Sequence, residues 1–245
     1  MDEEYKRFIE EKLGGVKARI RQRTLARSAE GAFASEEITL LLATKGVDAE
    51  AINYAHKELG VTHIGENKAQ ELVLKYPQLD KDGLHVHFIG HLQTNKVKQI
   101  IDKVEMIHSL DSIGLAEEIN KRAGAIGKRM PVLVEINIAR EPEKGGVFPE
   151  NAESFIREVS RLAWIHVKGL MTMAPAGCSE SEYTRYFTEV RTLYERIKSL
   201  GIPKVSAEVL SMGMSDSYEC AVSCGATLVR VGSAIFGKRA YQIQN

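Results

Sequence analysis

The fold class this sequence predicts is a closed (β/α)8 TIM barrel, on three observations. Eight short runs rich in Val, Ile and Leu recur along the chain, each followed by a longer polar stretch with helical spacing. Several runs are nearly continuous in apolar residues, as parallel strands covered on both faces should be. The 245 residues fit the roughly 250 usual for such barrels, and no linker rich in Pro, Gly or Ser divides them. One domain over 1–245 is expected, with the barrel at about 38–237. The alternative is an open doubly wound sheet, but its glycine-rich fingerprint is missing after the first strand, where TKGVDAE has a single glycine.

Taken in order, an extra N-terminal helix over 3–24 precedes the barrel. The first strand is ITLLLATK (38–45), followed by a helix over 48–59 that Asp48 caps and Gly60 ends. VTHIGEN (61–67) leads into a helix over 68–76, and HVHFIG (85–90) into one over 94–101 with Thr94 as cap. VEMIHSL (104–110) precedes a helix over 112–125 capped by Ser112, and PVLVEIN (131–137) one over 149–162. HVKGLMTM (166–173) precedes a helix over 179–200, which Gly201 stops. VSAEVLSM (205–212) is followed by a helix over 215–223, and TLVRVGSAIFG (227–237) carries the eighth strand.

Composition narrows the partners. With 33 basic and 33 acidic residues and a pI near 7.1, there is no electrostatic argument for nucleic acid or an anionic membrane. Three cysteines, Cys178, Cys220 and Cys224, suit neither a disulfide framework nor a zinc ribbon and read as reduced thiols. The acidic, amphipathic start is unlike a signal peptide, and no apolar run reaches the ~20 residues of a membrane helix. A cytoplasmic protein is expected.

In a barrel the C-terminal ends of the strands face the active-site mouth. Lys45 ends the most apolar strand, so its stem is expected to rise from the packed interior. Burial would favour the neutral amine, which can attack a carbonyl and form an imine. SMGMSDS sets Ser211, Gly213, Met214 and Ser215 in a turn entering a helix, and VRVGSAIFG sets Gly232 and Ser233 after the eighth strand. Converging backbone N–H groups and serine hydroxyls make a phosphate cradle where barrels commonly bind phosphate. Arg230 lies inside an apolar strand and only donates, so it wants a carboxylate, a phosphate or a ring nitrogen. An aldehyde bearing a phosphate and a basic ring nitrogen, pyridoxal 5'-phosphate, satisfies all three.

Other features read as structural. His85 and His87 share a strand face without a matching ligand pair elsewhere, so no metal is expected. Cys220 and Cys224, four apart on a helix, read as packing residues, and Lys96 and Lys98 as solvated.

The motifs TK (44–45), HIGENKAQE (63–71), HFIGHLQTNK (87–96), GLMTMAP (169–175), LSMGMSDSYECAV (210–222) and VRVGSAIFG (229–237) occur in that order. They resemble the pyridoxal phosphate homeostasis protein family from about Ile38 to Gly237. The resemblance implies a single barrel similar to the N-terminal domain of alanine racemase, with the cofactor carried on Lys45 as a Schiff base. It also implies that Asn67 and Met171 line the cofactor and that Arg230 faces the pyridine nitrogen. The 211–215 turn, with Gly232 and Ser233, would hold the phosphate. Lys68 and Val86 stand where relatives often carry an aromatic or aliphatic residue and a Trp, away from these contacts.

The family's role is control of free and bound cofactor, without an established turnover, and pyridoxal phosphate-dependent apoenzymes would be its partners. The residues agree. A racemase needs a base on each face of the substrate, and Lys45 supplies one. Of eight tyrosines, Tyr5, Tyr54, Tyr76, Tyr183, Tyr186, Tyr194 and Tyr241 are expected on outer helices or the tail, and only Tyr218 near a strand end. The chain also ends eight residues after Gly237, which leaves no second domain to expect. An arginine at the pyridine nitrogen opposes its protonation and weakens the ring as an electron sink. A non-catalytic carrier is therefore expected, taken as a monomer. The alternatives are an amino-acid racemase or related enzyme of this fold, and a cofactor-free aldolase using Lys45.

Overall fold

Eight strands close into one parallel ring in chain order, β1 through β8, in the computed structural model, which describes residues 1–29 and 37–237. The strands are β1 (Thr39–Ala43), β2 (His63–Glu66), β3 (His85–Phe88), β4 (Met106–Leu110), β5 (Met130–Ile136), β6 (Ile165–Thr172), β7 (Val205–Ser211) and β8 (Leu228–Val231). Closure is made by β8 against β1, with Leu41 opposite Arg230 and Leu42 opposite Val231.

Around the ring run α2 (Ala49–Lys57), α3 (Ala69–Lys75), α4 (Val97–Ile100), α5 (Ile113–Ala125), α6 (Ala152–Val159), α7 (Glu180–Ser199), α8 (Tyr218–Ser223) and α9 (Ser233–Phe236), with α1 (Glu3–Ala29) before them. Helix α1 runs five residues beyond the expected 3–24, because Arg27 is buried and donates to the Val222 and Ala226 carbonyls. Asp48 caps α2 as expected, its carboxylate accepting from the Ala51 N–H, whereas Ser112 precedes α5 without a side-chain cap. Thr94 starts a 3-10 turn, 94–96, ahead of a one-turn α4, so the expected 94–101 helix is broken in two. The helix expected over 215–223 is a correction too. It begins at Tyr218 and leaves 212–217 as a loop held by Met214–Ser217 hydrogen bonds.

Two cores result from strand alternation. On β5, Val132, Val134 and Ile136 join the large core between sheet and helices, and Leu133 and Glu135 alternate with them toward the axis. Leu41, Ile89 and Leu228 form a small apolar cluster inside the ring. The rest of the interior carries buried polar groups, among them His87, His108, Glu135, Ser211 and Arg230. Among the described residues no helix is long and apolar enough to cross a membrane.

Candidate functional site

Lys45 sits in the turn just beyond β1 and is exposed at the mouth, not buried as expected. Its strand ends at Ala43, and the backbone turns out of the packed interior before the lysine is reached. The turn is clamped on both sides. The Thr44 carbonyl accepts from Lys75 Nζ at 2.8 Å, and the Gly46 N–H donates to Glu71 Oε1 at 2.5 Å. Lys75 also reaches Glu66 at 2.7 Å and Glu71 at 2.6 Å, and the Thr44 hydroxyl donates to Glu66 at 2.7 Å. Burial raises the Glu66 carboxyl above its ordinary range, against the pull of Lys75. None of this cluster is apparent in the sequence beyond the GENKAQE motif that supplies Glu66 and Glu71.

Asn67 follows β2 half-buried, with its backbone laid on Gly90, where a Cβ would come within 2.1 Å of the Asn67 carbonyl oxygen. Met171, opposite Glu135 in the β5–β6 register, is fully buried on the inner face.

The two expected phosphate turns do meet. Ser215 Oγ accepts from the Gly232 N–H at 3.3 Å and the Ala234 N–H at 3.2 Å, which ties the β7 loop to the start of α9. Gly213 makes this possible. It has φ +90°, and a Cβ there would lie 2.5 Å from the Ala221 Cβ. Its carbonyl accepts from the Arg230 N–H at 3.0 Å, so the cradle and the arginine strand are joined by backbone. Ser233 and Met214 are exposed beside it. Ser211 departs from the expectation of a phosphate contact. It is the last residue of β7, fully buried, and strand alternation turns its hydroxyl into the barrel.

There Ser211 Oγ accepts from Arg230 NH1 at 2.6 Å, and Arg230 NH2 donates to the Thr172 carbonyl at 2.9 Å. Arg230 is fully inside the ring, and burial brings its guanidinium down to about 10, with Glu135 opposing. The other side of Ser211 Oγ is 3.2 Å from His108 Nδ1, and His108 Nε2 is 2.8 Å from His87 Nδ1. His63 packs beside His87, and its ring stacks on His85 at 4.6 Å, where His85 meets Glu105 at the floor. Burial pushes His87 down to about 3 and His108 well below the ordinary histidine range, so both are neutral. The sequence showed His85 and His87 on one face, yet not that His108 completes the column. Among the described residues no group of three or more His, Cys, Asp or Glu could hold a metal ion.

Glu135, on the strand opposite β1 in the ring, is a further inward group that sequence reasoning missed. Burial, with Asp111 nearby, pushes its carboxyl up to about 7, and Arg230 pulls against that shift. Tyr218 is excluded from the mouth, since its hydroxyl accepts from Arg19 Nε at 2.6 Å under α1, and Tyr241 lies outside the described residues.

The donor set suits pyridoxal phosphate. An exposed lysine, a serine-and-amide cradle and a donor-only guanidinium, with two of its N–H groups engaged below, converge on one mouth. Residues 32–240 match the family described as alanine racemase, N-terminal domain. The pyridoxal phosphate homeostasis protein of Aquifex aeolicus is 39% identical over 94% of this chain and 98% of its own. PipY of Synechococcus elongatus is 30% identical over 94% of this chain and 100% of that one, with TM-scores of 0.82 without PLP and 0.79 with PLP bound. By these matches over most of its length, the chain belongs to the pyridoxal phosphate homeostasis proteins, built on the alanine racemase N-terminal barrel.

Proposed function

We propose that this protein binds pyridoxal 5'-phosphate at the barrel mouth and acts in intracellular cofactor homeostasis, releasing or delivering it to apoenzymes without turning over a substrate. The observation that carries this reading is the relative described with PLP bound, whose fold is shared over 94% of this chain. The cofactor supplies an aldehyde that condenses reversibly with a primary amine. Lys45 offers that amine in an exposed turn, held in place by Thr44 and Gly46. Ser215, Gly232, Ser233 and the backbone of Gly213 and Met214 hold the phosphate, and Arg230 donates to the ring nitrogen. Asn67 and Met171 line the ring. Ser211 belongs to the site through Arg230. A monomer in the cytoplasm, without nucleic-acid or membrane partners, completes the reading.

Purified protein mixed with pyridoxal phosphate should absorb in the visible, and borohydride should then fix the cofactor to Lys45, read by peptide mass. Labelling of another residue, or of none, sinks the proposal. Delivery is tested separately: an apoenzyme should regain activity faster with loaded protein than with the same concentration of free cofactor.

One observation favours the racemase reading. Glu135 is a buried carboxyl on the inner side of β5, raised to about 7, and offers a group able to serve as the second base that racemisation needs. Exchange of the α-hydrogen of L- or D-alanine in heavy water, lost in Glu135→Gln and in Lys45→Ala, would establish it.

A further inference from the structure

We propose that His87, His108 and Ser211 form a hydrogen-bond chain of fixed polarity that points away from Arg230, and that His108 is thereby a positioning residue for the guanidinium under the cofactor ring. The second part rests on the proposed function; the first does not.

The direction follows from counting hydrogens. Arg230 can only donate, so Ser211 Oγ is an acceptor in their 2.6 Å contact. The serine hydroxyl has one proton of its own, and the neighbour within reach that can accept it is His108 Nδ1 at 3.2 Å. His108 then carries its proton on Nε2 and donates it to His87 Nδ1 at 2.8 Å. His87 in turn holds its proton on Nε2. The opposite polarity would aim two donors, the guanidinium and a His108 Nδ1–H, at one serine oxygen and leave a buried O–H without an acceptor. Both rings are buried and neutral, so neither evades the choice by taking a second proton.

The polarity has a consequence at the mouth. A hydroxyl that donates to an imidazole becomes a better acceptor, because hydrogen bonds in series polarise one another. The chain therefore strengthens the grip on Arg230 NH1, while the Thr172 carbonyl holds NH2. With the guanidinium pinned at two nitrogens, its remaining N–H groups keep one direction.

The test begins on the full-length protein without cofactor. Long-range proton–nitrogen NMR spectra at pH 7, assigned by single replacements, should show His87 and His108 each neutral with the proton on Nε2. A proton on Nδ1 of either ring, or on both nitrogens, overturns the chain. Pyridoxal phosphate binding supplies the second measurement. Ser211→Ala should lose the single His108 tautomer and weaken binding roughly tenfold, with the fold intact by thermal melting. Ser211→Thr, which keeps the hydroxyl, should restore both. Equal binding by wild type, Ser211→Ala and His108→Gln would refute the positioning role. A wild-type protein with the expected tautomers that binds no pyridoxal phosphate would refute the proposed function and leave the chain's polarity standing.

Discussion

Gly90 shows how much of the mouth hangs on single residues. A side chain there would overlap the Asn67 carbonyl oxygen at 2.1 Å, a contact with backbone that no rotamer relieves. Gly90→Ala is expected to cost about 1–3 kcal/mol by overpacking and to push Asn67 out of position. A urea midpoint would show the first effect, and weaker pyridoxal phosphate binding the second. Cys220 is a different case. Its spacing suggests a packing residue, yet a hydrogen bond from the Cys224 thiol and one with Thr184 bring its thiol down to about 6, while Cys224 is pushed up by the same contact. At pH 7 iodoacetamide should label Cys220 well before Cys224, as peptide mass would show. Four-residue spacing announced that the two thiols were neighbours. It could not announce Thr184, which arrives from α7.

At the level of elements, the loop after β1 is set by α3 rather than by its own sequence. Lys75 on α3 neutralises Glu66, which is 1% exposed, and holds the Thr44 carbonyl. Lys75→Met would leave a buried carboxylate unpaired, at about 3–5 kcal/mol. Because Glu66 already has a raised pKa, that loss should shrink at acid pH, where the lone carboxyl is protonated and neutral. Urea midpoints at pH 5 and pH 8 would show the difference. All eight strands were legible from apolar runs, since a strand buried on both faces writes its length into composition. The short helices were not. Thr94–Ile101 and Ser215–Ser223 have helical spacing, but the first opens as a 3-10 turn and the second as a local turn closed by Met214 with Ser217, while Ser215 is spent on the Gly232 and Ala234 N–H groups. For the site, Lys45, Arg230, Gly213 and Ser215 could be read as residue types the chemistry requires. Ser211 could not be assigned correctly, because whether a strand-end hydroxyl faces the mouth or the interior depends on where the strand stops. Glu135 and His108 stayed hidden because a single polar residue within an apolar run gives no sign of its partners on other strands, such as Ser211 three strands on from His108.

The molecule as a whole carries its titration inside the ring. His87 is lowered from 6.5 to about 3, so it contributes stability that is complete above pH 6.5 and is lost as pH falls toward 3. His108 acts in the same direction. Glu135 is raised from 4.5 to about 7, so its contribution is present below pH 4.5 and lost as pH rises through 7, up to ~3 kcal/mol. Stability should therefore decline on both sides of a maximum, with the acid side belonging to the histidines. Glu135→Gln should remove most of the alkaline decline and leave the acid one, measured as urea midpoints from pH 4 to 8. No change on the alkaline side would show that Glu135 ionises without strain. The ring closes where residues 39–42 pair with 228–231, and α1 straps that seam through Arg27 to the Val222 and Ala226 carbonyls and Tyr5 to the Phe236 carbonyl. Lys45 stands on one side of the seam, and Arg230 and Gly232 stand on the other. The two halves of the proposed site thus come from the first and last strands of the barrel and meet only when the last strand docks on the first. During synthesis the lysine emerges long before its arginine and phosphate cradle. On the proposed site, an unfinished chain would have an amine and nowhere to keep an aldehyde, so cofactor capture would be a property of the completed fold and a reporter of its completion.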